Sequence, residues 1–238
     1  MSLPTKYSFI ISFYKSRACK IRPYDTSIPI NHLINIAIID YGMGNTHSLT
    51  NSIKALGYIN VNLTFEQKFI QESDCIILPG VGAFGDAMKN LKERNLIQIL
   101  DDEVQIRKKP ILGICLGMQL LFESSDEHGF HEGLGWIPGK VEKMEQSREY
   151  RIPHVGWNNL KFINNSSLLK EIKEENDFYF VHSYHANCEQ KYILAKIEYG
   201  KEYTAIAKYE NVLGMQFHPE KSHHNGLLIL KTFLESIT

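Results

Sequence analysis

Cys115 lies at the centre of a symmetric glycine motif that could make a cysteine nucleophilic. The segment GICLG (residues 113–117) follows the apolar run 110–112 and precedes apolar residues at helical spacing, which predicts a tight turn from a strand into a helix. Glycines on both sides permit the backbone angles that a sharp elbow demands. N–H groups and the dipole at a helix N-terminus favour a thiolate over a thiol. The motif predicts a nucleophile elbow, and a buried structural cysteine is the alternative.

The segment GMQFHPE (residues 214–220) offers the base that such a cysteine needs. In an extended backbone alternate side chains point the same way, so His218 and Glu220 would share one side while Pro219 stiffens the link. Glu220 could then hold the imidazole ring in orientation. The alternative is a surface histidine beside a solvated glutamate.

A third segment, PGVG (residues 79–82), could supply an oxyanion hole. It follows a predicted strand in the same half of the chain as the elbow. Its backbone, together with the N–H of Leu116, could place donors near an attacked carbonyl. An ordinary glycine-rich loop and a phosphate cradle are the alternatives.

The elements that must position these segments alternate between strands and helices in the first half of the chain. Strands are predicted at residues 36–40, 58–63, 75–78 and 110–112, with helical spacing between them, as in a doubly wound, mostly parallel sheet with helices on both faces. Such sheets place their sites beyond the carboxyl ends of the strands. The second half predicts additional antiparallel strands at residues 137–144, 178–182, 192–198, 203–208 and 212–217, then a C-terminal helix. The predicted fold class is therefore α/β.

Composition excludes several classes of protein. The chain has 238 residues, a formal net charge of -1 and 43% hydrophobic residues, which argues against a general nucleic-acid or membrane-surface role. Four cysteines without paired spacing disfavour a disulfide framework and a four-thiolate zinc site. We therefore expect a cytoplasmic protein with no metal and no cofactor. No run is long enough to span a bilayer, and residues 7–14 are not interpreted as a signal peptide.

The chain is predicted to hold one domain. Residues 1–34 do not follow the pattern of the rest and are interpreted as an N-terminal extension of uncertain role. The domain is expected to occupy residues 35–238.

Taken together, the motifs resemble a known family. GICLGMQ (113–119) with HPE (218–220) resembles the class I (triad) glutamine amidotransferases, whose fold is flavodoxin-like. DYGMGN (40–45), PGVGAFG (79–85), HVGWN (154–158) and FVHSY (180–184) resemble, more narrowly, the glutaminase subunit of imidazole glycerol phosphate synthase. The motifs occur in the family's order from about residue 35 to the C-terminus. The family does not require the N-terminal extension.

The resemblance implies a role for each matching residue. Cys115 would attack the side-chain amide of glutamine and form a thioester, His218 would move the protons, and Glu220 would orient His218. Gln119 and Glu127 would hold the amino-acid end of glutamine.

The resemblance implies two further groups of residues. Gly80, Val81 and Leu116 would form or gate the oxyanion hole. Residues on motifs that the family uses toward its synthase partner are Asn45, Trp157, Asn158, Tyr184 and Lys221.

In the family the partner is a separate (β/α)8-barrel synthase subunit, which receives ammonia through a channel and forms a heterodimer with the glutaminase. The glutaminase would be weak until this partner binds. A paralogous glutaminase that supplies ammonia for sugar amidination in surface-polysaccharide biosynthesis stays open as an alternative. A cysteine hydrolase of another substrate class also stays open, whereas a catalytically silent binding protein is disfavoured because all three triad positions are filled.

Overall fold

A computed structural model describes residues 34–237. Residues 1–33, most of the predicted N-terminal extension, lie outside the described residues. No helix in the described part of the chain is long and apolar enough to cross a bilayer. The strands are β1 (Ile36–Ile39), β2 (Val61–Thr64), β3 (Cys75–Leu78), β4 (Ile111–Ile114), β5 (Phe122–Ser125), β6 (His131–Glu132), β7 (Ile137–Lys143), β8 (His154–Asn159), β9 (Lys161–Phe162), β10 (Asp177–His182), β11 (Tyr184–Asn187), β12 (Ile193–Tyr199), β13 (Lys201–Tyr209) and β14 (Val212–Met215).

Helices of two to four turns connect most of the parallel strands. The α-helices are α1 (Thr46–Ala55), α2 (Gln67–Glu72), α3 (Phe84–Glu93), α4 (Leu96–Asp101), α5 (Leu116–Leu120) and α6 (His223–Glu235). A π-helical turn, Asp102–Ile106, continues α4, and short 3-10 segments occupy Ser167–Leu169, Gln190–Tyr192 and Pro219–Lys221.

The central sheet has eight strands in the order β2-β1-β3-β4-β14-β13-β12-β9. Its first five strands are parallel, and β13, β12 and β9 extend it by antiparallel pairing. Two smaller sheets, β10-β8 and β11-β7-β5-β6, are formed by strands in the second half of the chain. The prediction of a mostly parallel sheet with additional antiparallel strands in the C-terminal half is confirmed.

Helices cover both faces of the central sheet because the buried side chains of β1 alternate between two cores. Ile36 and Ile38 pack in one core with Leu49 of α1 and Leu230 of α6. Ile39 packs in the other core with side chains of α2, α3, α4 and α5. A parallel sheet needs this double cover, since its strands are apolar on both faces.

One element boundary differs from the prediction at the functional turn. The helical spacing after Cys115 predicts a helix through Phe122, but α5 ends at Leu120 and Phe122 begins β5. Backbone N–H groups of Leu134 and Trp136 donate to the carbonyls of Leu120 and Leu121 at 2.8 Å. Hydrogen bonds from a distant segment therefore take the acceptors that a longer helix would use.

The predicted elbow is present, but its strain lies on a different residue. Cys115 joins β4 to α5 with φ 54 and ψ -110, while neither Gly113 nor Gly117 has a positive φ. A Cβ on Gly117 would lie 1.8 Å from the carbonyl oxygen of Leu78, and one on Gly113 would lie 2.6 Å from the carbonyl oxygen of Gly117. The prediction that the glycines supply special backbone angles was wrong: they supply space, and Cys115 takes the strained torsion.

We expect Gly117→Ala to destabilise the fold by about 3 kcal/mol, because its methyl group would overlap the backbone of β3, which cannot rotate away. Gly135→Ala is the matched control: Gly135 has φ 67 and no atom within 4 Å of its Cβ position. This control should cost about 1 kcal/mol, for the left-handed torsion alone. Urea denaturation measures both, and equal losses would contradict the steric role of Gly117.

Candidate active site

The predicted site residues meet around a pocket at the carboxyl end of the parallel strands. The pocket has a volume of about 260 Å³. Its lining includes the predicted residues Val81, Cys115, Leu116, Gln119, Glu127, Tyr184 and His218, together with Gly82, Pro153, Val181, His182 and Ser183. The structure thus brings together residues from the elbow, the PGVG segment and the HPE segment.

The register of two neighbouring strands brings Cys115 to His218. Strand β14 pairs in parallel with β4, with Met215 opposite Ile114. The backbone N–H of Cys115 donates to the carbonyl of Met215 at 2.8 Å, which fixes the elbow to β14. The chain past β14 therefore runs beside the chain past β4, and His218 lines the pocket with Cys115.

His218 and Glu220 form the predicted buried pair, but the predicted extended backbone between them is absent, because Pro219–Lys221 is a 3-10 turn. Nδ1 of His218 lies 2.9 Å from Oε1 of Glu220, and the two side chains are 2% and 3% exposed. The N–H of His218 donates to the carbonyl of Tyr179 at 2.9 Å, and the Ser222 hydroxyl donates to the carbonyl of His218 at 2.7 Å. Nε2 of His218 is buried without a hydrogen-bond partner in the described part of the chain. The ring is held on its Nδ1 side, which leaves Nε2 for chemistry in the pocket.

The electrostatics of this pair favour the imidazolium. Burial lowers the pKa of His218, but the Cys115 sulfur and the Glu220 carboxylate raise it more strongly, from 6.5 to about 9. A carboxylate in contact with a ring nitrogen stabilises the charged form of the ring. The arrangement can therefore hold a proton next to the sulfur at neutral pH.

Two of the residues predicted to form the oxyanion hole, Gly80 and Leu116, are hydrogen-bonded to each other. The N–H of Leu116 donates to the carbonyl of Gly80 at 3.3 Å. Val81 is 41% exposed and lines the pocket. A Cβ on Gly80 would lie 2.4 Å from the Tyr41 hydroxyl oxygen, so this loop packs closely on the core. An oxyanion can use the N–H of Leu116 only after the bond to Gly80 opens.

The two predicted substrate-binding residues already make protein contacts. Nε2 of Gln119 donates to the carbonyl of Tyr184 at 2.9 Å and to Oε1 of Gln216 at 3.1 Å. Oε2 of Glu127 accepts from the backbone N–H of Phe84 at 2.6 Å, at the first residue of α3. Both side chains line the pocket in fixed orientations, which suits residues that hold a ligand.

The residues predicted to face a partner lie in different local environments. Trp157 is 46% exposed and stacks on His223 with 4.9 Å between ring centroids. Asn45 lines a small cavity beneath the PGVG loop, and Tyr184 lines the main pocket. The Asn158 amide donates to a backbone carbonyl of β12 at 2.9 Å. Lys221 Nζ lies 5.7 Å from the centroid of the Tyr179 ring.

Sequence reasoning missed several residues of the site. The hydroxyl of Tyr41 donates to the carbonyl of Pro79 at 2.6 Å and so holds the PGVG loop, and burial raises the pKa of Tyr41. Gln216 is fully buried, and its amide approaches Cys115. His182 lines the pocket. These residues stand within motifs that were recognised, but only their contacts show what they touch.

A pair of neutral histidines lies in the wall of the pocket. Nδ1 of His182 donates to the carbonyl of Tyr184 at 2.9 Å, so its Nε2 accepts from Nδ1 of His154 at 3.3 Å. Burial lowers the pKa of His154 to about 4. Burial, partly offset by the bond to Tyr184, lowers the pKa of His182 to about 3.

Comparison with known proteins places the chain among enzymes that act on glutamine. The family model for glutamine amidotransferase class-I matches residues 37–236. The chain is 54% identical over 202 residues to imidazole glycerol phosphate synthase subunit HisH 2 of Vibrio vulnificus, covering 85% of this chain and 94% of that protein. It is 49% identical to subunit HisH of Sulfurimonas denitrificans, covering 83% and 96%, respectively.

Solved structures share the fold at lower identity. A crystal structure of a glutamine amidotransferase superposes with a TM-score of 0.65 and 18% identity, covering 85% of this chain and 98% of that chain. Another glutamine amidotransferase, from Thermotoga maritima, superposes with a TM-score of 0.61 and 14% identity, covering 86% and 97%. These likenesses concern the fold alone.

We expect Glu220→Gln to lower the pKa of His218 from about 9 toward 6.5 by at least about 1 pH unit, because the ring loses a carboxylate that stabilises its charge. NMR titration of labelled histidine side chains measures the change. Glu189→Gln is the control, since Glu189 pairs with Lys191 on the surface. An unchanged pKa of His218 in Glu220→Gln would contradict the electrostatic role of the carboxylate.

We also expect acid to destabilise the protein through the neutral pair. Unfolded histidines take up protons near pH 6.5, whereas folded His154 and His182 do so only near pH 4 and 3, respectively. Stability from this pair is present above pH 6.5 and is lost as the pH falls toward 4. His154→Gln removes one titratable imidazole. It should therefore reduce the slope of the free energy of unfolding against pH by up to about 1.4 kcal/mol per pH unit. Urea denaturation between pH 6.5 and 4.5 tests this, and an unchanged slope would refute it.

Proposed function

The chain belongs to the class I glutamine amidotransferase family, and we propose that it is the glutaminase subunit of an imidazole glycerol phosphate synthase. It hydrolyses L-glutamine to glutamate and ammonia and delivers the ammonia to a synthase subunit in histidine biosynthesis. The observation that carries this proposal is the pocket that brings Cys115 beside the buried pair of His218 and Glu220. The names of curated relatives at 54% and 49% identity support the pathway.

The geometry supports a thioester mechanism. The sulfur of Cys115 attacks the side-chain carboxamide carbon of glutamine, and the C–N bond breaks as the His218 imidazolium gives its proton to the departing nitrogen. The neutral imidazole then takes a proton from water, whose oxygen attacks the thioester and releases glutamate and the thiolate. Glu220 keeps the ring oriented in both steps and stabilises its charged form.

Gln119 and Glu127 are proposed to bind the amino-acid end of glutamine. Their support is position: both line the pocket, and the Glu127 carboxylate suits the substrate ammonium group. The bond from Phe84 to Glu127 and the bonds made by Gln119 hold these side chains in place before substrate arrives.

The oxyanion hole of the isolated chain is proposed to be closed. Gly80 offers a carbonyl oxygen toward Leu116, so the resting loop has an acceptor where a developing oxyanion needs a donor. Opening this bond would free the N–H of Leu116 and let Val81 reorient. This supports the expectation that the glutaminase is weak until a partner subunit binds.

The partner is proposed to be a separate (β/α)8-barrel synthase subunit that forms a heterodimer with this chain. Support comes from exposed apolar side chains on β8, whose neighbouring strand β10 is hydrogen-bonded to His218. Val155 and Trp157 of β8 are 56% and 46% exposed, and β8 pairs with β10, whose Tyr179 carbonyl accepts from His218. Exposed aromatic residues of this kind are typical of interfaces.

Asn45, Asn158, Tyr184 and Lys221 remain proposed interface residues with Trp157. Ammonia would pass from the pocket toward the face that these residues form. Asn45 lines a small cavity with His218, Glu220 and the PGVG loop, and this loop could gate the passage of ammonia. We also propose that one domain occupies residues 35–238, which the family match over 37–236 supports. A cytoplasmic location is proposed as well, and the free thiols of Cys75, Cys115 and Cys188 support it.

We expect Cys115→Ser to abolish glutamine-dependent synthesis by the complete synthase while synthesis from added ammonium salts continues, because only the ammonia source is lost. Assays of the complex with its purified synthase partner, run with each nitrogen source in turn, measure this. Cys188→Ser is the matched control, since Cys188 is a half-buried thiol outside the pocket, and it should retain both activities. Equal loss of both activities in Cys115→Ser would mean that Cys115 is structural.

A further inference from the structure

The sulfur of Cys115 has two polar neighbours besides the catalytic histidine. Its Sγ lies 3.9 Å from the carbonyl oxygen of Val181 and 3.8 Å from Nε2 of Gln216. A thiol can donate to the carbonyl, but a thiolate cannot. Once the sulfur is ionised, the side-chain amide of Gln216 is the neighbour of these two that stabilises it.

The direction of the Gln216 amide is fixed by a chain of hydrogen bonds. The carbonyl of Tyr184 can only accept, so the Gln119 group that lies 2.9 Å from it must be the NH2 group. That same NH2 group lies 3.1 Å from the Gln216 side chain, which must present its oxygen. The NH2 end of Gln216 therefore points at Cys115. The assignment follows from a backbone carbonyl whose role is not ambiguous.

The anchor of this chain of bonds is itself rigid. The carbonyl of Tyr184 accepts from both Gln119 and His182 at 2.9 Å, which uses both lone pairs. The N–H of Gln216 donates to the carbonyl of Ala205 at 2.9 Å, so β13 holds the backbone of the residue. Gln119 is 5% exposed and Gln216 is fully buried. Water cannot readily replace these bonds.

We propose that Gln216 is a positioning residue that orients and stabilises the nucleophilic sulfur of Cys115, and that Gln119 sets the direction of its amide. The proposal rests on the proposed glutaminase function. Gln119 then has a second role besides binding substrate. Its amide accounts for the orientation of the Gln216 amide, whose NH2 group points at the sulfur of Cys115. The competing explanation is that Gln216 only satisfies the buried amide of Gln119.

Gln216→Met tests the proposal because methionine is unbranched and of similar length but has no N–H donor. We expect alkylation of Cys115 by iodoacetamide at neutral pH to slow about tenfold, the effect of one hydrogen bond to a charged group. Glutaminase kcat with the synthase subunit present should fall by a similar factor, while KM stays within about twofold because Gln119 keeps its bond to the carbonyl of Tyr184.

Asn211→Leu is the matched control. Asn211 immediately precedes β14, and its half-buried amide donates to the carbonyls of Val104 and Lys109 at 2.9 Å. Like Gln216→Met, this change removes a hydrogen-bonded side-chain amide at one end of β14, but Asn211 does not line the pocket. Its melting temperature should fall while alkylation and kcat keep their wild-type values. Equal slowing of alkylation in the two variants would overturn the proposal, because loss of stability would explain both.

A double-mutant cycle tests the role of Gln119. Gln119→Met should also slow alkylation, since the Gln216 amide is then free to turn its oxygen toward the sulfur. The double variant should be no slower than Gln216→Met, because both changes act through one donor. Additive slowing would overturn the link between the two amides.

The measurements separate this proposal from the proposed function. Alkylation involves no glutamine, so it reports on the sulfur whatever the substrate. If wild-type protein with its synthase subunit does not hydrolyse glutamine, the proposed function fails. If it does, and folded Gln216→Met is alkylated and turns over at wild-type rates, the positioning role of Gln216 fails alone.

Discussion

The site depends on a steric contact between helix α5 and strand β3 of the central sheet: Gly117 lies against the carbonyl oxygen of Leu78, where a Cβ would be 1.8 Å away. Because α5 starts so close to β3, the turn before it has little room, and Cys115 takes a φ of 54. Such a torsion costs about 1 to 3 kcal/mol in a residue with a side chain. Two features offset this strain energy: β4 is paired with a parallel strand on each side, and the backbone N–H of Cys115 donates to the carbonyl of Met215. The strained residue Cys115 is thus held by the most regular part of the fold.

The groups that contact each buried histidine determine whether its ring is protonated. His218, His182 and His154 all lie in or behind the same wall, and burial lowers the pKa of each. His218 alone of these three contacts a carboxylate, and its pKa is raised to about 9, while those of the other two fall to about 3 and 4. The Cys115 sulfur and the Glu220 carboxylate together therefore raise the pKa of His218 alone of these three rings, so that it carries a proton at neutral pH. The two neutral rings instead serve as hydrogen-bonding groups that fix the carbonyl of Tyr184.

Much of this arrangement could be predicted from local sequence. The alternation of strands and helices predicts the parallel sheet, because this pattern depends on neighbours in the chain. The contact between His218 and Glu220 was predicted for the wrong reason, since the two residues meet across a 3-10 turn and not in an extended strand. The end of α5 could not be predicted, because residues 134–136 capture the carbonyls of its last turn. The glycines of the elbow were recognised for the wrong physical reason, since a crowded backbone and a strained torsion give the same residue preference.

The sequence by itself determined the residue types of the candidate site, their order and the family to which the chain belongs, because short motifs encode local geometry. Only the tertiary structure decided which groups those residues touch. The bond from Leu116 to Gly80 and the chain from Tyr184 through Gln119 and Gln216 to Cys115 join segments that lie far apart in sequence. The register of β3, β4 and β14 brings Leu116 to Gly80 and Gln216 to Cys115, whereas Tyr184 is supplied by β11 of a smaller sheet. Strand register is a property of the whole sheet, so the environment of the sulfur is known only once the sheet is formed.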